Sequence, residues 1–125
     1  MATSIERGEV YWVNFEPSQG GEIKKTRPAI VLSNNAANTY LNSVQVVPLT
    51  SKTERLYPGE ALVSLNIGDT YNGKRLDRTE KRKAMADQLT TVSKQRLCGR
   101  IGMLGKEDLE KVEAAVLLQL GMDRS

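Results

Sequence analysis

Along the chain, hydrophobic and polar positions alternate in short bursts, with one stretch of helical spacing at the end. Glu9 to Phe15 is dense in β-branched and aromatic residues, and Pro17, Ser18, Gln19, Gly20 and Gly21 follow as turn formers. This predicts a first strand and a long loop. Alternation puts Tyr11, Val13 and Phe15 on one face of that strand and Trp12 on the other. Arg27 to Ser33 predicts a second strand headed by Pro28, where a missing N–H is tolerated. Asn34 to Asn38 suits one helical turn, and Ser43 to Leu49 a third strand with Thr50 just beyond its end.

Tyr57-Pro58-Gly59 signals a turn before a fourth strand over Ala61 to Leu65. Asn66 to Lys83 has no periodicity and two Asn/Asp/Gly turn signals, which predicts a long loop. Ala84 to Leu89 and Thr90 to Val92 read as a short strand pair, Ser93 as the cap of a brief helix through Cys98, and Arg100 to Leu104 as a last strand. From Lys106 onward Leu109, Val112, Ala115, Val116 and Leu120 recur at three- and four-residue spacing, with acidic residues first and Gly121 as terminator. Short strands with one terminal amphipathic helix predict a mainly β fold, a small antiparallel β-barrel carrying short helices and that C-terminal helix.

Composition narrows the chemistry. The 125 residues include no histidine and one cysteine, Cys98. That excludes a Ser-His-Asp triad, a Cys-His pair, an intrachain disulfide and a multi-Cys/His zinc centre. Cys98, between Leu97 and Gly99, is expected to be a small buried hydrophobe rather than a reactive thiol. Chemistry therefore falls to carboxylates, Arg, Lys, Tyr, Ser or Thr, with no cofactor or metal expected. The length suits one domain over residues 1–125, with a single core. The longest aliphatic stretch, Ala114 to Leu118, is far below the roughly 18 residues of a membrane span, and Met1 to Ser4 lacks a signal pattern, so a cytoplasmic protein with no membrane partner is expected.

Eighteen Lys+Arg against 15 Asp+Glu give a net charge of +3, and its distribution says more. Residues 105–125 sum to −2, leaving +5 on the body, an arrangement suited to a polyanion. Lys74, Arg75, Arg78, Lys81, Arg82 and Lys83 against Asp77 and Glu80 make +4 in ten positions, suited either to a phosphate backbone or to solvent alone. Gly20 to Arg27 is not a Walker-type phosphate loop, because Lys24 precedes Lys25-Thr26 where glycine is required and a strand follows where a helix is required. The segment does bring Glu22, Lys24, Lys25 and Arg27 together, either as a phosphate-binding group beside a carboxylate or as a solvated loop. Tyr57 and Tyr71, both in expected loops, are candidates for stacking on a base or for simple anchoring.

Taken in order, Arg7 to Trp12, Pro17, Gly21-Glu22, Arg27-Pro28 with a strand ending in Ser33, Val47 to Ser51, and Ala86-Asp87-Gln88 resemble the MazF/PemK family of toxin endoribonucleases, from about Arg7 to Gly121. The resemblance implies an SH3-like barrel, a homodimer, metal-independent and sequence-specific cleavage of single-stranded RNA, and neutralisation by a cognate antitoxin. It implies catalytic roles for Arg27, Thr50 and Glu22 and a base or RNA contact at Asp87; beside these, substrate contacts are expected at Lys24, Lys25, Ser51, Gln88, Lys81 and Arg82. Some members carry His where this chain has Gly21 and Arg where it has Met85, and neither group can act here.

Such cleavage would run by attack of a ribose 2′-OH on the adjacent phosphate, with Arg27 as cation, Thr50 orienting a phosphate oxygen, Glu22 or Asp87 as base, and Arg27 or water as acid. Without histidine, no activity break near pH 6 to 7, roughly the imidazole range, is expected. Two other readings share the fold. A gyrase-poisoning toxin would need a Trp-containing tail, whereas this chain closes on Leu120 to Ser125; a noncatalytic nucleic-acid-binding barrel would bind RNA without cutting it.

Overall fold

The computed structural model describes residues 4–15, 26–56, 60–67, 70–71, 74–75 and 78–122. Strands β1 (Glu9–Asn14), β2 (Thr26–Val31), β3 (Ser43–Thr50), β4 (Glu60–Ile67), β7 (Arg78–Met85) and β9 (Leu97–Met103) join in the order β4-β7-β3-β2-β1-β9, and β8 (Thr90–Ser93) also pairs with β3. Every pairing is antiparallel, and β5 (Thr70–Tyr71) and β6 (Lys74–Arg75) form a second, two-stranded sheet. The sheet curls until β4 approaches β9, giving a half-barrel. Helix α1 (Asn35–Tyr40) is a short turn between β2 and β3, and α2 (Lys106–Gln119) packs on β4.

The alternation along each strand explains why the sheet has apolar residues on both faces. Val10, Ile30, Val47, Leu49, Val63, Leu65, Ala84 and Ile101 form one cluster, closed by Val112 and Ala115 of α2. Tyr11, Val13, Ala29, Val31, Val44, Val46 and Val92 form the other, with Phe15 and Leu97 against it. Trp12 packs on the first cluster, as alternation from Tyr11 predicts. Each fully buried aliphatic side chain, such as Ile30 or Leu49, contributes roughly 1.5–3 kcal/mol.

Local signals act where expected at both helices. Asn34 Oδ1 accepts from the Ala37 N–H at 2.8 Å and caps α1. Glu107 and Asp108 lie in the first turn of α2, favourable at the positive end of the helix dipole, and Asp108 Oδ2 also accepts from the Ser64 N–H at 2.8 Å. Gly121, at φ 73°, ends α2: its N–H reaches the Leu118 carbonyl at 3.1 Å and the Met122 N–H the Leu117 carbonyl at 2.7 Å. Leu120, expected on the apolar stripe, is exposed because the helix has already ended there.

Other expectations are corrected. Residues 66–83 are not one long loop: β4 runs to Ile67, and β7 begins at Arg78 and pairs with β4 along its whole length. Charged side chains gave β7 no hydrophobic period, and pairing with β4 and β3 overrides its low strand propensity. Residues 84–89 do not pair with 90–92; β7 ends at Met85, Ala86–Gln88 form a 3₁₀ turn, and β8 pairs with β3. Ser93 does cap a helical turn, accepting from the Gln95 N–H at 3.2 Å, but the turn covers only Lys94–Arg96 and β9 starts at Leu97. Cys98 therefore lies on β9 and is exposed, not buried. Pro28 is the third residue of β2 and not its head, and Thr50 is the last residue of β3 and not beyond it.

Candidate active site

Arg27 and Thr50 are related through register. Ala29, Ile30 and Val31 of β2 lie opposite Pro48, Val47 and Val46 of β3. Continued two positions, that register sets Arg27 opposite Thr50. Pro28 and Pro48 carry no N–H, and the paired register begins at Ala29 and Pro48, so Arg27 and Thr50 stand at the open end of this ladder. Directly opposite residues share a face, and Thr50 is in turn opposite Lys83 of β7. One row across three strands thus reads Arg27, Thr50, Lys83.

The three members differ in exposure. Arg27 is exposed, and no carboxylate among the described residues forms an ion pair with it. Thr50 is half-buried, and its Oγ1 accepts from the Lys52 N–H at 3.3 Å, so the hydroxyl proton can be donated outward. Lys83 is buried at 7% exposure; its Nζ donates to the Arg55 carbonyl at 2.9 Å and sits 3.2 Å from Glu60 Oε1. A planar cation and a hydroxyl on neighbouring strands at the rim of a sheet are groups that can bind and orient a phosphate.

Of the other residues expected at the site, Ser51 follows Thr50 and is exposed. Asp87 and Gln88 are exposed on the 3₁₀ turn after β7, which packs against β3. Lys81 is exposed on the same face of β7 as Lys83, whereas Arg82 points to the opposite face and pairs with Glu80 at 2.8 Å. Glu22, Lys24 and Lys25 lie outside the described residues, as do Tyr57 and the Tyr71 side chain. Two contributors escaped sequence reasoning. Lys83 was hidden in a basic run, and only strand alternation on β7 would have set it apart from Arg82. Arg96 donates from Nη1 to the Asn14 carbonyl at 3.2 Å, fixing the end of β1 nearest Arg27; the polar turn it belongs to gave no such signal.

A cavity of about 400 Å³ lies elsewhere, at the other end of β2 and β3. Leu32, Ser33, Gln45, Leu89 and Val116 line it, and the Arg7–Glu113 pair at 2.6 Å borders it. None of the expected site residues is there. Among the described residues no group of His, Cys, Asp and Glu could hold a metal ion, and no helix is long and apolar enough to cross a membrane.

A half-barrel with an Arg-Pro strand facing a threonine-terminated strand accords with the resemblance noted above. The family model of PemK-like, MazF-like toxins of type II toxin–antitoxin systems matches residues 6–120. The chain belongs to this family. This MazF/PemK chain is 32% identical over 123 residues to endoribonuclease MazF9 of Mycobacterium tuberculosis, a match covering 94% of the chain and 98% of the relative. Its fold matches MazF of Deinococcus radiodurans at a TM-score of 0.69, with 27% identity and coverage of 97% and 100% of the two chains. It also matches a MazE–MazF structure from that organism at a TM-score of 0.75, with 25% identity and coverage of 98% and 100%. A mycobacterial endoribonuclease in complex with its cognate antitoxin shares the fold at a TM-score of 0.71, with 24% identity and coverage of 97% and 99%.

Proposed function

We propose that the chain, an endoribonuclease toxin by its family, cuts single-stranded RNA at short sequence motifs by internal 2′-OH attack, with Arg27 and Thr50 as the catalytic pair. What supports this reading is the β2–β3 register, which runs from Val31 opposite Val46 to Ala29 opposite Pro48 and, continued two positions, sets Arg27 opposite Thr50. The 2′-oxygen bonds to phosphorus while the bond from phosphorus to the 5′-oxygen breaks, leaving a 2′,3′-cyclic phosphate and a 5′-OH. Arg27 binds the phosphate oxygens and offsets the charge that builds on them; the Thr50 hydroxyl orients one of them. Asp87 or Glu22 takes the 2′-OH proton, and Arg27 or water returns one to the departing oxygen. No step uses a metal ion.

Cutting messenger RNA in this way blocks translation and growth. The cationic residues near this end, including Lys52, Arg55 and Lys81, favour a polyanion through counterion release. A cognate antitoxin with acidic character covers the same surface, and the working form is a homodimer in the cytoplasm. Purified protein incubated with naked single-stranded RNA in EDTA tests the assignment. Arg27→Ala is expected to lower cleavage by about 10³-fold, the scale of losing an oxyanion stabiliser, at an unchanged unfolding midpoint. Wild-type cleavage by folded Arg27→Ala protein would remove Arg27 from the mechanism, and binding without cutting by the native chain would leave only a nucleic-acid-binding barrel.

A further inference from the structure

We infer that Lys83 is a positioning residue: held by Glu60, it fixes the segment leaving β3 and so sets the Thr50 hydroxyl. This rests on the proposed role of Thr50. Lys83 lies directly across from Thr50. Its ammonium does not reach solvent to meet a phosphate, since the side chain is 9% exposed and that of Glu60 11%. Instead it joins three pieces of backbone. Lys83 belongs to β7, Glu60 opens β4 opposite Met85, and the Arg55 carbonyl accepts from Nζ at 2.9 Å within the segment that leaves Thr50. That same segment supplies the Lys52 N–H bonded to Thr50 Oγ1 at 3.3 Å. The orientation of the hydroxyl therefore depends on where residues 51–55 are held, and the buried cation holds them.

A buried ion pair is a poor source of stability, because desolvating both charges offsets their attraction and an apolar pair of similar size often serves as well. What the Lys83–Glu60 pair supplies is a fixed donor for a loop carbonyl, which an apolar pair cannot provide. Displacing a group by about 1 Å at a reacting centre lowers turnover by up to about 100-fold. The expected loss is thus in turnover rather than in affinity.

The test is the double variant Lys83→Met/Glu60→Leu, which removes both charges and strands neither. Its unfolding midpoint should match that of the native chain, while kcat on a short single-stranded RNA falls about 10- to 100-fold and KM moves less than about two-fold. Lys83→Arg, which keeps donors for both partners, should recover most of the turnover. In a Thr50→Val background the double change should cost less than about two-fold more, because it acts through a hydroxyl already gone. Native kcat in the folded double variant, or an undiminished loss in the Thr50→Val background, would overturn the inference. If the double variant does not fold, Lys83→Gln gives the same reading through kcat at constant KM. Amide exchange at Lys52 separates this idea from the functional assignment: it should quicken in Lys83→Gln with global protection intact, whether or not the native chain cuts RNA, and an unchanged rate would refute the positioning role.

Discussion

Two of the carboxylate–cation pairs in the sheet, Glu9–Arg100 and Glu60–Lys83, differ in how far the cation is buried and in what the bonds reach. At the start of β1, Glu9 is 4% exposed and accepts from the Glu6 N–H at 2.7 Å, from the Tyr11 hydroxyl at 2.9 Å and from Arg100 Nε on β9. The carboxylate is the buried member, and its donors come from its own strand, the turn before it and the neighbouring strand. Near Thr50 the side chains of both Lys83 and Glu60 are largely buried, and one bond of the cation leaves the strands for the loop after β3. The first pair locks β1 to β9 at the end away from Arg27. The second links the sheet to the segment that follows Thr50. Similar chemistry thus ties strand to strand in one place and strand to loop in the other, and the difference lies in the destination of the hydrogen bonds.

The contrast can be broken most strongly at Glu9. Glu9→Ala leaves the Tyr11 hydroxyl and the Arg100 guanidinium without their carboxylate, and a loss of about 3 kcal/mol in denaturant unfolding is expected. The folded fraction should cleave RNA at the native rate, and a matching fall in kcat would show that the two ends are coupled. Thr50→Val should do the reverse. Stability should stay within about 0.5 kcal/mol, while cleavage drops about 100-fold, or about 2.7 kcal/mol of transition-state stabilisation.

The smallest effect is one of pH. Burial first, and then the hydrogen bond to Glu9, hold the Tyr11 hydroxyl well above its ordinary value of 10.0. A group whose folded pKa is raised contributes stability that is fully present below its unfolded value and is lost as pH rises through the folded one. Unfolding free energy should therefore fall above about pH 10, by up to about 1.4 kcal/mol per pH unit from this group. Tyr11→Phe, costing about 1 kcal/mol at neutral pH through the lost hydrogen bond, should show a gap from the native chain that narrows above that point. A gap that stays constant to pH 11.5 would mean that Tyr11 ionises alike in the folded and unfolded chains, so that the network does not hold its proton.

How far these features were legible in the sequence follows from what each depends on. Local signals decide β1, α1 and α2, since alternation at Tyr11 to Val13, the Asn34 cap and Gly121 act within a few residues. The strand from Arg78 to Met85 was missed because its charged residues carry no hydrophobic period, and only β3 and β4 on either side make it a strand. Arg27 and Thr50 were singled out one at a time, through the family resemblance, as an arginine before a proline and a threonine at a strand end. Their alignment follows from continuing the β2–β3 register, which no local pattern states, and the β3–β7 register takes Lys83 out of a basic run and puts it opposite Thr50. Cys98 failed for a related reason: a small apolar neighbourhood suggested the core, while the edge position of β9 exposes it.

The most direct test is the chemistry of the cut ends on a defined single-stranded RNA treated in EDTA. Internal 2′-OH attack at Arg27 and Thr50 predicts a 5′-OH on one fragment and a 2′,3′-cyclic phosphate on the other, both absent with Arg27→Ala. A 5′-phosphate, or cleavage that stops with chelator and returns with magnesium, would contradict it.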